Sequence, residues 1–323
     1  MTLLCGFDIG GTKCAVVLAR RTDDSVEIIH KVKFPTPSTS DLTLARLSQE
    51  LTGFLRNNPD AGLSAIGISC GGPLDSKRGL ILSPPNLPGW ECVDIVTSFQ
   101  KAFSVPVALQ NDANACALAE WKWGAGRGYE NMVFLTFGTG MGAGLILDGR
   151  LFTGTNDMAG EVGHVRLAED GPSGYGKAGS FEGFCSGGGI GRLARERARE
   201  LLLQGNAPGF CPNEEAIASV TAETVAIAAS SGDPAARAIY AEVGHMLGRG
   251  LAVLIDILNP QRIVIGSIYA RQRNLLEQPV LDVLKRESLS LSLSVCTIVP
   301  AGLGEHVGDF ASLSVAEHAL AAR

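Results

Sequence analysis

Apolar and polar positions change period along this chain, alternating the spacing of strands with that of helices. Residues 3–20, LLCGFDIGGTKCAVVLAR, run apolar, break at a glycine turn and run apolar again. That pattern predicts a strand, a tight turn and a second strand rich in β-branched residues. VEIIHKVKF predicts a third strand. In DLTLARLSQELTGFLRN the apolar residues recur at helical spacing, with Ser40 or Asp41 as the candidate N-cap. A strand AIGISCGG, a Pro- and Gly-rich loop SPPNLPGW, a helix near 92–103 and a strand VPVALQ complete an α/β order. The pattern then restarts. NMVFLTFGTGMGAGLILDG (131–149) is again strand, Gly/Thr turn and strand, so the chain reads as two related α/β units.

Between the second hairpin and the next helix lies AGEVGHVRLAEDGPSGYGKAGSFEG (159–183), without a period and rich in glycine. It predicts neither a packed helix nor a strand. Helical patterns dominate from about 188 to 258, and NPQ at 259–261 ends them. RIVIGS predicts a strand, a further strand falls near 295–299, and GEHVGDFASLSVAEHAL predicts a glycine turn and a closing helix.

Composition narrows the classes. With 323 residues, 46% hydrophobic and 19% charged, the chain is globular and long enough for one large domain or two ordinary ones. A net charge of -6 argues against a nucleic-acid partner, because phosphate backbones reward basic surfaces. The densest basic run, RLARERARE (192–200), is interrupted by Glu196 and Glu200 and reads as the solvated face of a helix. The eight cysteines form no C-x-x-C or C-x-C pair and several sit in apolar stretches. They fit a reducing cytoplasm better than a disulfide framework. The start of the chain has no basic region, and Asp8 interrupts its apolar run, so no signal peptide is read. GLAVLIDILNP is short and carries Asp256, which argues against a membrane span.

Two turns carry candidate chemistry. DIGGTK, with Gly10 and Gly11, and FGTGMG, with Gly138, Thr139 and Gly140, present backbone amides and a hydroxyl in the manner of an anion site. Asp8 is placed to hold a hydrated magnesium ion, and Thr12 or Lys13 to meet phosphate oxygens. Each turn can also be a plain hairpin, but two of them opening repeated units favour a nucleotide. No P-loop is present. GIGRLA (189–194) has the spacing of a dinucleotide motif but no strand leads into it, so that site is not read there. Its glycines, with Gly188 and Gly189 at the helix start, are instead placed to lie close to an adenosine. QNDANACALAE puts Asn111 and Asp112 between a strand and a helix, where they serve as an N-cap or as the base of a phosphoryl transfer. The polar side chains of 159–183 belong either to a solvated loop or to a site for a small polar molecule.

Taken together and in this order, DIGGTK, SPPNLPGW, QNDANA, FGTGMGAG and GEVGH resemble the ROK family of sugar kinases, repressors and related proteins. The resemblance runs to the terminal GEHVGDFASL. It implies an actin-like or hexokinase-like ATPase fold of two α/β domains with a central cleft. The first domain would cover 1–115, completed by the closing helix at about 306–323, and the larger second domain 116–305. The co-substrates implied are ATP and magnesium, the partner a small sugar, and the assembly a homodimer. Residue by residue, the resemblance makes Asp112 the base and Asn111 a sugar ligand, with Glu161, His164 and Glu182 binding other sugar hydroxyls. The activity implied is phosphorylation of a hexose hydroxyl, foremost the 6-hydroxyl of glucose or a close relative. Fructose, mannose, allose and N-acetylhexosamines are the alternatives. A sugar-sensing repressor is the alternative of another class, and it would need a DNA-binding segment ahead of Asp8. The chain departs from the family at one place. Three zinc-binding cysteines common in the family would fall at Ser173, Tyr175 and Ser180, so zinc is not expected. The segment would instead be ordered by glycine turns, by Tyr175 and Phe181, or by the sugar.

Overall fold

The two apolar hairpins become the centres of two five-stranded sheets. A computed structural model describes residues 2–22 and 25–321. Residues 1, 23 and 24 of the expected first domain, and residues 322–323 of the closing segment, lie outside the described residues. Two units are distinguished. One comprises Met1–Gly128, Gly144–Ala159 and Glu305–Arg323, and the other Tyr129–Ala143 and Gly160–Gly304.

In the first sheet β1 (Thr2–Ile9) pairs antiparallel with β2 (Lys13–Arg21), and β2 with β3 (Val26–Pro35). After helix α1 (Ser40–Asn57), β4 (Leu63–Cys70) runs parallel to β1. After α2 (Ile95–Phe103), β5 (Val107–Gln110) runs parallel to β4, giving the order β3-β2-β1-β4-β5. Helix α3 (Asp112–Trp123) follows. The second sheet repeats the order. β6 (Met132–Phe137) and β7 (Met141–Leu147) form the hairpin, and β8 (Arg150–Phe152) adds the edge. β9 (Arg262–Ile265) and β10 (Thr297–Pro300) add parallel strands on the other side, giving β8-β7-β6-β9-β10. Equal strand order is the structural form of the repeat read from the two glycine turns.

The central strands of the first sheet are buried on both faces, which is why β1 and β2 are almost unbrokenly apolar. Leu3, Cys5, Phe7 and Ile9 face a core with Leu47, Leu51, Trp90 and Phe99. Leu4, Ala15, Val17 and Ala65 face Leu313, Ala316 and Ala319 of the closing helix α9 (Val307–Ala321). That helix comes very close to the sheet. Gly6 and Gly67 pair across β1 and β4, and a Cβ on Gly67 would lie 2.1 Å from Ala316 N and Ser312 O. Glycine is the residue this approach permits.

In the second unit α4 (Phe181–Phe184) leads into α5 (Gly187–Leu203), followed by α6 (Ala222–Ser230), α7 (Pro234–Leu258) and α8 (Arg273–Glu287). Helix α7 has the length and apolar character of a membrane span, yet two thirds of its apolar window is buried inside the protein. It is a core helix, with Val243, Leu247, Leu251 and Ile255 buried. All eight cysteines are free. One cap differs from expectation. Thr39, not Ser40 or Asp41, caps α1, its hydroxyl accepting from Leu42 N at 3.3 Å. Asp41 then falls in the first turn, where the helix dipole favours a carboxylate.

Candidate functional site

The strand ends of the first unit gather the acidic residues. In register across the sheet, Lys33, Ala15, Asp8, Ser69 and Gln110 form one row. Asp112 opens α3 just after β5, and Ser69 Oγ donates to its Oδ1 at 3.3 Å. Asn111 is the N-cap, its Oδ1 accepting from Asn114 N at 2.8 Å. The capping reading therefore holds for Asn111 and leaves its amide nitrogen able to meet a ligand, while Asp112 is the residue the cap projects.

Charge is concentrated here. Burial first, then Asp112 and Asp309, lift the Asp8 carboxyl to about 7, against the opposing pull of Lys33 and Lys31. Burial raises the Asp112 carboxyl too, opposed by the Ser69 hydrogen bond. Asp112 keeps surface open to solvent, although protein crowds its carboxyl. Crowded carboxyls of this kind suit a divalent cation, which magnesium satisfies with one or two carboxylates and otherwise water and phosphate oxygens. Asp8 therefore fits magnesium. Lys31 and Lys33 escaped the sequence reading. Their alternation in VEIIHKVKF places them on one face of β3, which is the signal that reveals them.

The first glycine turn is covered by the Pro-rich loop. A Cβ on Gly11 would lie 2.3 Å from Asn86 O, so the loop's backbone crosses directly over the turn. Gly10 N donates to Lys13 O at 3.0 Å, so that amide is already used. Gly11, Thr12 and Lys13 are exposed. Asn86, also beside Gly71, is a further polar residue that the motif alone did not single out.

The second unit holds a cavity of about 1060 Å³. Gly138, Thr139, Gly187 and Gly188 are among its lining residues, with Thr221, Ala222, Ser230, Ser231 and Arg271. Its size lies at the top of the range for ligand sites. The start of α5 faces it, with the positive end of the helix dipole and its amides available to a phosphate. Gly187 N donates to Gly138 O at 2.7 Å and ties helix and turn together. Gly140 and Gly189 do not line the cavity. The Gly189 amide instead donates to Oγ of Ser186, the N-cap of α5, at 2.9 Å. The α6 wall and Ser267–Gln272 were missed by motif reading. Ser267 stands at φ 51°, a conformation unusual for a non-glycine residue and the kind of outlier that gathers at functional sites.

Residues 159–183 are not loose. Leu167 N donates to Gly179 O at 2.8 Å and Phe181 N to Val165 O at 2.8 Å. Arg166 donates to Ala178 O and Lys177 Nζ to His164 O, each at 2.8 Å. Ser180 Oγ accepts from both Gly174 N and Gly183 N at 3.1 Å. Phe181 is 1% exposed, whereas Tyr175 is 72% exposed and sets its ring edge against the His164 ring, centroids 5.1 Å apart. Glu161, just before the short turn Val162–His164, and His164 at its end are exposed. Glu182 stands beside that turn, since a Cβ on Gly163 would come 3.2 Å from Glu182 Cβ. Two of the three polar residues are thus exposed at this turn, and Glu182 packs half-buried beside it.

Zinc does not fit this clasp. The Ser180 hydroxyl is buried and committed to two amides, Ser173 is exposed, and no thiolate is present. A structural zinc site needs four ligands, usually thiolate and imidazole. Purified protein is expected to hold no stoichiometric zinc by elemental analysis, and a zinc chelator to leave its melting temperature unchanged. One zinc per chain that survives dialysis and supports stability would overturn this.

A family model described as "ROK family" matches residues 4–317. The chain is 30% identical over 319 residues to the glucokinase of Streptomyces coelicolor, covering 95% of each. It is 32% identical over 289 residues to the glucokinase of Halalkalibacterium halodurans, covering 85% of this chain and 83% of that one. It also resembles the crystal structure of a ROK family glucokinase from Streptomyces griseus in complex with glucose and AMPPNP. There the TM-score is 0.73 at 28% identity, over 98% of this chain and 99% of that one.

Proposed function

The chain belongs to the ROK family and is an ATP-dependent sugar kinase, and on that premise we propose that it phosphorylates the 6-hydroxyl of glucose or a close relative. The observation that carries the reading is Asp112, a crowded carboxyl opening α3, hydrogen-bonded to Ser69 in the row that also holds Asp8. In this reading Asp112 accepts the proton of the sugar hydroxyl as it attacks the terminal phosphate. Phosphoryl transfer asks little covalent chemistry of the protein, so positioning and charge do the rest. Asn111 holds the sugar beside the base. Glu161, His164 and Glu182 take other hydroxyls, for which carboxylate and imidazole are suited because a hydroxyl both donates and accepts. Gly138, Thr139 and Gly188 receive nucleotide phosphates in the cavity of the second unit, and Gly11, Thr12 and Lys13 offer amides, a hydroxyl and a cation to phosphate oxygens. Asp8 would hold magnesium, which supplies neutralisation of phosphate charge when bound.

A coupled assay over glucose, mannose, fructose, allose and N-acetylhexosamines tests the assignment. The highest kcat/KM is expected for glucose; a clear maximum on another sugar would replace glucose, and no turnover with any of them would remove the proposal. His164→Ala is expected to raise the sugar KM about tenfold or more while leaving the ATP KM close to that of the parent, because a sugar hydroxyl loses its partner. Equal losses for both substrates would take His164 out of the sugar site.

A further inference from the structure

Helix α4 is a single turn capped by Ser180, and it carries Glu182 half-buried. Glu182 Oε2 accepts the N–H of Met141 at 3.1 Å. Met141 is the first residue of β7, directly after the turn Gly138–Gly140 whose leading residues line the cavity. The missing side chain of Gly140 makes room for this contact, because a Cβ there would sit 2.9 Å from the same Oε2. The turn continues the path. Gly138 N donates to Gly140 O at 3.1 Å, and Gly187 N, at the start of α5, donates to Gly138 O. On its other side Glu182 rests against the Val162–His164 turn through Gly163. One carboxylate therefore stands between the surface read as sugar-binding and the turn read as phosphate-binding, within a single unit.

A carboxylate has two oxygens and accepts on both. We propose that Glu182 is a positioning strut: a sugar hydroxyl on one oxygen fixes the side chain, and the other oxygen then fixes the phosphate turn through Met141 N, so that sugar and nucleotide bind cooperatively. The inference rests on the reading of Glu182 as a sugar ligand. It goes beyond that reading by assigning the same residue a role in nucleotide affinity. By linkage, whatever factor the sugar adds to nucleotide binding, the nucleotide adds to sugar binding.

Calorimetric titration of AMPPNP with magnesium, with and without saturating glucose, tests it; if the sugar panel ranks another sugar first, that sugar is used. In the parent, glucose is expected to tighten AMPPNP by about fivefold or more, the lower end of typical couplings. In Glu182→Ala glucose binds more weakly and the coupling falls to about twofold or less even at saturating glucose, whereas Glu182→Gln, whose carbonyl can accept from Met141 N while its NH2 donates to the hydroxyl, should keep part of the coupling. His164→Ala is the contrast, because it weakens glucose but keeps the coupling. Gly140→Ala approaches from the other side: its Cβ pushes Oε2 away and should weaken glucose binding with no nucleotide present. A parent without coupling, full coupling in Glu182→Ala, or parental glucose affinity in Gly140→Ala each overturns the strut. Unchanged glucose affinity in both Glu182 variants overturns the sugar-ligand reading itself.

Discussion

Asp112→Asn lowers kcat by about 10²–10⁴, the usual contribution of a general base, while glucose affinity and melting temperature stay near those of the parent. The substitution keeps shape and lets the Ser69 hydroxyl go on donating to an oxygen, so the change isolates basicity. A variant whose kcat stays within a few-fold of the parent strikes Asp112 from the role. The pH profile gives an independent check. Burial raises the Asp112 carboxyl, so the ionised base is lost as pH falls through a value above the ordinary carboxylate range. The acid limb of kcat/KM is therefore expected above that range. Ser69→Ala removes the hydrogen bond that favours the ionised form, and should move the limb to higher pH. A limb that stays put, or moves down, contradicts the assignment.

Gly67→Ala is expected to be the most damaging single methyl in the first unit. Its Cβ would meet Ala316 N and Ser312 O at 2.1 Å, and both are backbone atoms that cannot rotate aside. Overpacking costs typically about 1–3 kcal/mol, and a backbone-to-backbone clash belongs at or beyond the upper end. A fall in melting temperature on the order of 5–10 °C follows for a unit of this size. Gly53→Ala is the control: it lies inside α1 with nothing within 4 Å of its Cβ position. There the methyl should be neutral or stabilise by about 0.5–1 kcal/mol, since alanine loses less entropy in a helix. Equal melting shifts for the two variants would mean that α9 does not depend on the close approach.

Particular residues explain what could be read before the structure. The hairpins at 3–20 and 131–149 were legible because strand period and glycine turn are local signals, and a repeated local signal yields a repeated sheet. Asn111 and Asp112 were legible as a pair at a helix start, with both roles in view. What orders the segment 159–183 was legible only as alternatives: glycine turns, Tyr175 and Phe181, or the sugar. Glycine content reports the freedom of the unfolded chain, whereas the bonds of Ser180 to Gly174 and of Arg166 to Ala178 join residues far enough apart that no period records them. The cavity wall at Ser267 was hidden for a similar reason. Its φ of 51° is imposed by surroundings, and serine does not announce it. Lys33 needed only the alternation of its strand and the pairing of β3 with β2, of which the sequence showed the first.

The place of α9 in the chain has a consequence for synthesis. The inner face of the first sheet, with Leu4, Ala15, Val17 and Ala65, is covered by Leu313, Ala316 and Ala319. Between Trp123, where α3 ends, and Val307, where α9 begins, the whole second unit must leave the ribosome. At about 5–20 residues per second that takes on the order of ten to forty seconds. For that interval the earliest-made sheet waits with one greasy face uncovered, and the last-made helix is what ends its exposure to chaperones and to other nascent chains.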